Sequence, residues 1–220
     1  MTRLALVLFL SYLLGSFPTS IVAGKVFFGR DIRKEGSGNA GGTNAFRVFG
    51  WKVGILVVLV DVGKGVAAAL LVSRLAAGGP LSTDALRLAA GTAATIGHVW
   101  TVFAGFRGGK GVATAAGTLA AVAPLPFLAA LAAFALGILS TGIVSVGSLS
   151  AAVVFPLAAL ALRLAGNPVS DTLLGFSFLL APLIFWTHRK NIRRLIRGEE
   201  NRFEKLRIIP RLFKKRGSTG

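Results

Sequence analysis

The stretch that decides the fold runs from Gly111 to Leu164 and reads GVATAAGTLAAVAPLPFLAALAAFALGILSTGIVSVGSLSAAVVFPLAALALRL. A helix needs about 20 apolar residues to cross the hydrocarbon core of a bilayer, so this stretch is too long for one crossing and rather short for three. Proline or glycine interrupts it at 123–126 and again at 140–142. The sequence therefore predicts three consecutive membrane helices, of which the first is short.

Four further apolar segments predict membrane helices at Leu4–Phe27 (interrupted by Pro18), Val53–Leu75, Ala85–Phe103 and Leu173–Trp186. We treat the first as a retained helix, because no small-residue cleavage pattern follows it. The expected fold is an all-α integral membrane protein with seven transmembrane helices, or five if short segments merge or do not cross. We expect one membrane domain over residues 1–210 and a basic tail over residues 211–220.

The composition indicates a membrane protein, and the placement of its Lys and Arg residues indicates which side faces the cytoplasm. Of 220 residues 54% are hydrophobic and 15% are charged, whereas about a quarter are charged in soluble domains. The net charge of +17 comes mostly from Lys25–Lys52, from Arg107 and Lys110, and from the tail beyond His188. In a seven-helix bundle these stretches share one side, which places the amino terminus outside and the carboxyl terminus in the cytoplasm. Nucleic-acid binding is therefore not expected.

The rare residue types exclude several kinds of chemistry. The chain has no cysteine, which excludes disulfides, thiol catalysis and thiolate metal sites. Its two histidines lie far apart in the sequence, so a structural metal site is not expected. We predict no metal and no cofactor.

The first polar motif, GSGNAGGTNAFR, spans Gly36 to Arg47. Its glycines let backbone N–H groups approach a ligand closely, and Arg47 carries a planar fork that suits phosphate oxygens. Together with the short polar side chains these features indicate an anion cradle. The plain alternative is a flexible loop between helices, and the pattern is not a Walker A loop, because no Gly-Lys-Ser/Thr follows at the required spacing.

The second motif, GHVWTVFAGFRGGKGVAT, spans Gly97 to Thr114. Glycines bracket Lys110 just before a predicted helix, which would leave backbone amides open where a phosphate is favoured. Lys110 would then act as a point charge on that phosphate. The alternative is a tight turn whose cations only mark the cytoplasmic side. His98 alone is a weak signal, since a lone interfacial histidine is more often a hydrogen-bonding helix terminus than a base.

The third motif, HRKNIRRLIRGEE, spans His188 to Glu200. Most of its charge suits topology and anionic lipid, but Asn191 and Glu200 serve neither purpose. Within the second predicted membrane helix, Asp61 and Lys64 lie one helical turn apart, where an unpaired charge is costly. We expect them to pair with each other or with another helix near the inner face.

In these three motifs the chain resembles the PlsY family, the membrane acyl-phosphate:glycerol-3-phosphate acyltransferases of bacteria, from the first predicted helix to about Glu200. The resemblance implies transfer of a fatty acyl group from acyl-phosphate to the 1-hydroxyl of glycerol 3-phosphate, giving lysophosphatidic acid and inorganic phosphate. It also implies a seven-helix, multi-pass protein of the inner membrane, with the amino terminus outside, the active site on the cytoplasmic side and no metal. The expected partners are these two substrates and membrane lipid, and we expect a monomer.

The resemblance also assigns roles position by position. The expected catalytic residues are Ser37, Arg47, Lys110, Asn191 and His98, the first four of them around the phosphates. The expected substrate-binding residues are Asn39, Thr43, Asn44, Gly108, Gly109, Gly111, Ser145, Ser148 and Glu200, with the three glycines holding acyl-phosphate through backbone amides and Glu200 orienting neighbours such as Asn191. The family often has proline four residues after its Gly-His, and this chain does not.

The residues leave the base for this reaction open. Phosphate is a good leaving group, so the main requirement is to bring two anions together and to stabilise charge on the carbonyl oxygen. The attacking hydroxyl would lose its proton to its own phosphate or to His98. One competing function is a small transporter of a phosphorylated solute, but such a transporter should have related halves, and the sequence shows no internal repeat. The other is a structural membrane subunit, which would not explain the two glycine-rich motifs.

Overall fold

The computed structural model describes residues 2–210, and over that range it contains helices and no strands, which confirms the all-α prediction. The ten α-helices of the described range are α1 Thr2–Ser16, α2 Thr19–Phe28, α3 Gly42–Phe49, α4 Trp51–Leu70, α5 Thr83–Val99, α6 Val112–Val122, α7 Pro124–Thr141, α8 Val144–Leu164, α9 Asp171–Thr187 and α10 Arg189–Ile196. Short 3-10 turns lie at Ile32–Lys34, Val72–Ala76, Val102–Ala104 and Glu204–Leu206. The predicted basic tail at 211–220 lies outside the described residues.

The predicted breaks are confirmed, and each has a local cause. α1 ends before Pro18 and α2 begins after it, because proline cannot donate the helical hydrogen bond. α6 ends just before Pro124, and α7 ends just before Gly142, whose φ of +74° is left-handed. Glycine reaches that region without steric strain, so it commonly follows a helix.

Four stretches of the described range are long and apolar enough to cross a membrane: Thr2–Phe28, Trp51–Ala76, Pro124–Thr141 and Val144–Leu164. A fifth would be α9 with α10, which are bent by 62° at their junction. α5 has 17 residues and α6 has 11, shorter than a helix that spans a bilayer upright. The protein therefore has several membrane-length helices, and the count of seven crossings stays a prediction.

The described chain divides into two compact units, with the boundary between Pro124 and Leu125. In the first unit α1 packs on α5, and α4 packs on α6, at positions where glycine lets backbones approach. A Cβ atom on Gly15 would meet the backbone of Ala94, and one on Gly65 would meet the backbone of Thr114. Small residues at such contacts are the usual way in which membrane helices pack closely. The single domain predicted over 1–210 stays a prediction.

The second unit contains α7 to α10 and the segment that follows them. A Cβ atom on Gly137 would lie 2.8 Å from the Cα atom of Gly147, so α7 and α8 pack closely. After α10 the chain returns to the α7–α8 turn, where the Phe203 amide donates to the Gly142 carbonyl at 2.7 Å. The Ile208 amide donates to the Leu139 carbonyl at 3.0 Å. These two bonds hold the end of the described chain against that turn.

Candidate active site

The site of the first unit begins where the break between α1 and α2 meets the end of α5. The last carbonyls of a helix have no intrahelical donor and need other partners in an apolar environment. The Thr101 hydroxyl donates to the carbonyl of Ser16, the last residue of α1. The Tyr12 hydroxyl donates to the Trp100 carbonyl at 2.7 Å. The residues that follow α5 are thereby tied to the first helix.

A buried polar cluster lies beside this break. The Lys64 ammonium donates at 2.6 Å to the Phe17 carbonyl, to the Thr19 hydroxyl and to Oδ1 of Asp61. The Thr19 hydroxyl donates to the same Asp61 oxygen at 2.8 Å. His98 Nδ1 lies 3.6 Å from it. The expected pairing of Asp61 with Lys64 is therefore present, and it also includes groups from α2 and α5.

The loop after α5 folds back onto the end of its own helix. The Gly108 amide donates to the Val99 carbonyl at 3.1 Å, and the Gly109 amide donates to the His98 carbonyl at 3.0 Å. The prediction that these two amides are open for phosphate is therefore wrong, because the unpaired carbonyls at the end of α5 accept from them first. What the glycines supply instead is space: a Cβ atom on Gly109 would meet Nε2 of His98 and would lie 3.0 Å from the Ala40 carbonyl oxygen.

A small cavity that opens to solvent lies between the two glycine-rich motifs, and the space within it, open solvent included, is about 190 Å³. It is lined by Phe17, Pro18, Thr19, Ala40, His98, Thr101, Gly108 and Gly109. Three of the predicted site residues line it, namely His98, Gly108 and Gly109. The other lining residues come from the helix break, from the loop after α5 and, through Ala40, from the first motif. The first two motifs therefore share one cavity in this unit.

The first motif is half loop and half helix, since α3 begins at Gly42. Asn44 lies on α3 with 1% of its surface exposed and bonds to backbone groups: its amide nitrogen donates to the Ile32 and Glu35 carbonyls at 3.2 and 2.9 Å. Its oxygen accepts from the Ser37 amide at 2.9 Å. Asn44, predicted to line the pocket, is therefore a support of the loop that carries Ser37, because its hydrogen-bonding groups already have backbone partners.

Arg33, which is paired with Asp31, ties the same loop to the loop after α5 through a hydrogen bond. The Arg33 guanidinium forms two bonds to Asp31, of 3.0 Å from Nε and 2.7 Å from Nη2, and Nη1 donates to the Ala104 carbonyl at 2.9 Å. The hydrogen bond from Arg33 holds the pKa of Asp31 at about 2, below its ordinary 3.8. The same bond raises the pKa of Arg33. A bidentate pair of this kind fixes orientation as well as distance.

The remaining predicted residues of this unit lie around these loops. Asn39 and Ser37 are half-buried in the loop, and Thr43 and Arg47 are half-buried on α3. Lys110 is half-buried next to Gly111, whose φ of +81° places it just before α6. The backbone amides without an intrahelical partner are those of the first turn of α6. An anion at this end of α6 would therefore meet that turn, with Lys110 directly before it in sequence.

In the second unit, the third motif folds into α10 and a return. The Asn191 side-chain amide donates to Oε1 of Glu200 at 2.7 Å, and Arg194 Nε donates to Oε2 of the same carboxylate at 2.6 Å. Asn191 and Glu200 are both buried. The expected contact between Glu200 and Asn191 is therefore present, and the carboxylate fixes the direction in which the Asn191 side chain points.

The two serines predicted as acceptor contacts lie in the first turns of α8, and both are buried. The Ser148 hydroxyl donates to the Val144 carbonyl at 3.1 Å. The Ser145 hydroxyl has no hydrogen-bond partner within residues 2–210. In that same range no group of three or more His, Asp and Glu side chains could hold a metal ion.

Comparison with known proteins decides the family. The family model described as glycerol-3-phosphate acyltransferase matches residues 5–198. The chain belongs to the glycerol-3-phosphate acyltransferase family. The glycerol-3-phosphate acyltransferase of Chlorobaculum parvum is 48% identical over 216 residues, which cover 87% of this chain and 93% of that protein. The protein of the same name from Chlorobaculum tepidum is 46% identical over 226 residues, covering 92% and 97%.

Two solved structures have the same fold as this family member. Both are crystal structures of PlsY (YgiH), an integral membrane glycerol 3-phosphate acyltransferase, one in a glycerol 3-phosphate form and one in a lysophosphatidic acid form. The first is 38% identical with a TM-score of 0.81, and the second is 37% identical with a TM-score of 0.76. Each comparison covers 95% of this chain and 99% of the other. The chain is therefore an integral membrane protein of this family.

Sequence analysis missed several polar groups at the site of this family member. Thr19 and the Phe17 carbonyl line the cavity or bond to the cluster behind it, yet neither lies in the glycine-rich motifs. Thr101 lies within the second motif and also lines the cavity, but it was not among the predicted site residues. One signal for Thr19 was present, because a threonine directly after a helix-breaking proline in an apolar segment is placed to bond with freed carbonyls or neighbouring polar groups. The carbonyl of Phe17 has no signature in sequence.

Proposed function

We propose that this protein transfers a fatty acyl group from acyl-phosphate to the 1-hydroxyl of glycerol 3-phosphate, releasing lysophosphatidic acid and inorganic phosphate. Membership of the family supports an acyltransferase, and the related crystal structures are described as glycerol 3-phosphate and lysophosphatidic acid forms. The observation that carries the proposal is the cavity that both glycine-rich motifs line; one of its lining residues, Gly109, directly precedes the half-buried Lys110 in sequence.

The chemistry of the transfer suits this set of residues. The hydroxyl oxygen attacks the acyl carbon, the bond from that carbon to the phosphate oxygen breaks so that phosphate leaves, and the hydroxyl proton passes to a base. Because phosphate leaves readily, the protein has to position two anions and stabilise charge on the carbonyl oxygen. Ser37, Arg47 and Lys110 would hold the phosphates, with Asn39 and Thr43 as further polar contacts and Gly111 leading into the first turn of α6.

Two groups are candidates for the base that accepts the hydroxyl proton. The phosphate of the acceptor itself is one. The other is His98, because its Nε2 lies where a Cβ atom on Gly109 would meet it, at the wall of the cavity. If His98→Ala abolished turnover while leaving both substrate affinities unchanged, proton transfer to the substrate's own phosphate would not suffice.

We also propose a role for the buried polar groups of the second unit. Asn191, held by Glu200, would contact a substrate phosphate, and Ser145 and Ser148 would contact the acceptor. Glu200→Gln tests the first of these, because the amide would present a donor or a weaker acceptor to Asn191 and Arg194. We expect a loss of activity that exceeds that of Glu199→Gln, an exposed neighbour.

The same proposal includes topology and location. We place the protein in the bacterial inner membrane with seven crossings, the amino terminus outside, and the glycine-rich motifs and α10 on the cytoplasmic side. The distribution of cations supports this orientation. Cysteine labelling would test this orientation, since the chain has no cysteine of its own. In the variant Arg107→Cys, at an exposed position, a membrane-impermeant maleimide should react only after the inner membrane has been permeabilised.

The decisive experiment incubates purified protein with acyl-phosphate and glycerol 3-phosphate and follows both phosphate and lysophosphatidic acid. Strict dependence of both products on both substrates is expected, and uptake of solute into liposomes without turnover would indicate a transporter instead. Arg47→Ala and Lys110→Ala should each lower kcat/KM by about 10- to 100-fold, the value of one hydrogen bond to a charged group. Arg107→Ala removes an exposed cation from the same loop as Lys110 and serves as the matched control.

A further inference from the structure

The polar cluster beside the cavity contains two charged side chains that are almost fully buried, which is energetically unfavourable. Asp61 and Lys64 lie in the middle of the apolar helix α4 with 2% and 4% of their surface exposed. Removing two charges from water is costly, and a well-packed apolar pair in their place is often neutral or stabilising. Ionisable groups within membrane helices are therefore candidates for a functional role.

The bonds of the cluster connect two walls of the cavity. Lys64 donates to the Phe17 carbonyl and to the Thr19 hydroxyl, and both of these residues line the cavity. Thr19 and Lys64 together fix the position of the Asp61 oxygen that faces His98. The carboxylate is thus held by groups from the α1–α2 break and lies beside the last turn of α5.

The two nitrogens of His98 face different surroundings. Nδ1 lies 3.6 Å from Oδ1 of Asp61, whereas Nε2 lies against Gly109 at the cavity wall. A neutral imidazole carries one proton, and the charges around the ring decide which of its two nitrogens holds that proton. A carboxylate next to Nδ1 favours the proton there, which leaves the lone pair of Nε2 toward the cavity.

We propose that Asp61 is a positioning residue for His98, which presents an unprotonated Nε2 to the acceptor hydroxyl and orients that hydroxyl for attack. Lys64 and Thr19 hold the carboxylate in place and thereby couple the α1–α2 break to the imidazole. This inference rests on the proposed function, because that function supplies the glycerol 3-phosphate hydroxyl on which His98 would act. It does not depend on which group finally takes the proton, because Nε2 acts as a hydrogen-bond acceptor.

A double-mutant cycle separates positioning from mere packing. The paired change Asp61→Leu with Lys64→Met removes both charges together, so that neither is left buried alone. We expect kcat to fall by at least about tenfold, because the imidazole and with it the hydroxyl lose their orientation. In a His98→Ala background the same pair should cost nothing further. An equal loss in both backgrounds, or no loss in the first, would overturn the proposal.

The matched control removes an exposed ion pair, with Arg163→Gln and Asp171→Asn, and should leave kcat unchanged. A second measurement needs neither turnover nor a folded variant of α4. Because the chain has only two histidines, nitrogen-15 labelling of histidine gives two ring systems, and His98→Ala identifies one of them by its loss. We expect the neutral His98 ring of the wild-type protein to carry its proton on Nδ1.

A proton on Nε2 of the neutral wild-type ring would refute the positioning role even if the enzyme is active. Conversely, a proton on Nδ1 in a protein that transfers no acyl group would leave the contact between Asp61 and His98 in place and would refute the proposed function. The two failures are thereby distinguished by one sample.

Discussion

Replacing Asn44 tests whether one buried amide holds the loop that carries Ser37. Asn44→Ala removes three hydrogen bonds to backbone, one to the Ser37 amide and two to the Ile32 and Glu35 carbonyls. Each such bond contributes about 1 kcal/mol net, and the backbone groups left without a partner add to the loss. We therefore expect the loop conformation of the structure to be destabilised by about 3 kcal/mol relative to conformations in which these bonds are broken, which is about a hundredfold in population.

Asn44→Asp should be more damaging than Asn44→Ala. The aspartate oxygen can still accept from the Ser37 amide, but its second oxygen would face the Ile32 and Glu35 carbonyls, where the wild-type nitrogen donates. The two carbonyl oxygens would then face a buried carboxylate oxygen, and this repulsion costs more free energy than the loss of the two hydrogen bonds.

Hydrogen exchange of the segment 32–41, measured by mass spectrometry in detergent, is the assay. We expect the protection of this segment to fall in the order wild type, Asn44→Ala, Asn44→Asp, with a parallel fall in kcat/KM for glycerol 3-phosphate. Asn167→Ala is the matched control, because Asn167 makes one exposed bond to the Leu162 carbonyl. Wild-type protection in Asn44→Ala would show that the loop is held by other contacts and would refute this argument.

Two further changes test the cavity and the ion pair between Asp31 and Arg33. Gly109→Ala places a methyl group against Nε2 of His98 and 3.0 Å from the Ala40 carbonyl oxygen, so we expect kcat/KM to fall by at least about tenfold, with some loss of thermal stability as these neighbours shift. Gly63→Ala, at a helical glycine with open space around it, should lower neither. Because the bond from Arg33 lowers the pKa of Asp31 to about 2 from an ordinary 3.8, its stabilisation is present above about pH 4 and is lost as the pH falls toward 2. The difference in melting temperature between the wild type and Asp31→Asn should therefore shrink over that range, and a difference that stays constant would contradict the assignment.

Local chemistry accounts for the parts of the fold that sequence analysis predicted well. Pro18, Pro124 and Gly142 end helices through their own backbone limits, so the breaks were predictable without any knowledge of neighbours. The pairing of Asp61 with Lys64 was predictable too, because three residues along a helix bring two side chains to one face.

The site was only half predictable, and Gly108, Gly109 and Asn44 show why. Glycines next to a lysine suggested amides free to bind phosphate, but the end of α5 returns to the same place and accepts from two of those amides. Asn44 has the residue type of a ligand contact, yet it supports the loop from behind. Which partner a polar group takes depends on competing groups that are distant in sequence, and residue type cannot rank them.

The amino-acid sequence alone determined that this protein is a helical membrane protein, where its helices break, and which three polar motifs resemble those of its family. These properties follow from hydropathy, from the backbone limits of proline and glycine, and from the order of residues, all of which are local. Only the tertiary structure decided that Thr19, Asp61 and His98 form one cluster behind a cavity lined by the first two motifs. Such a cluster depends on three helices packing at one depth, and the contacts that set this packing are made between residues far apart in the chain.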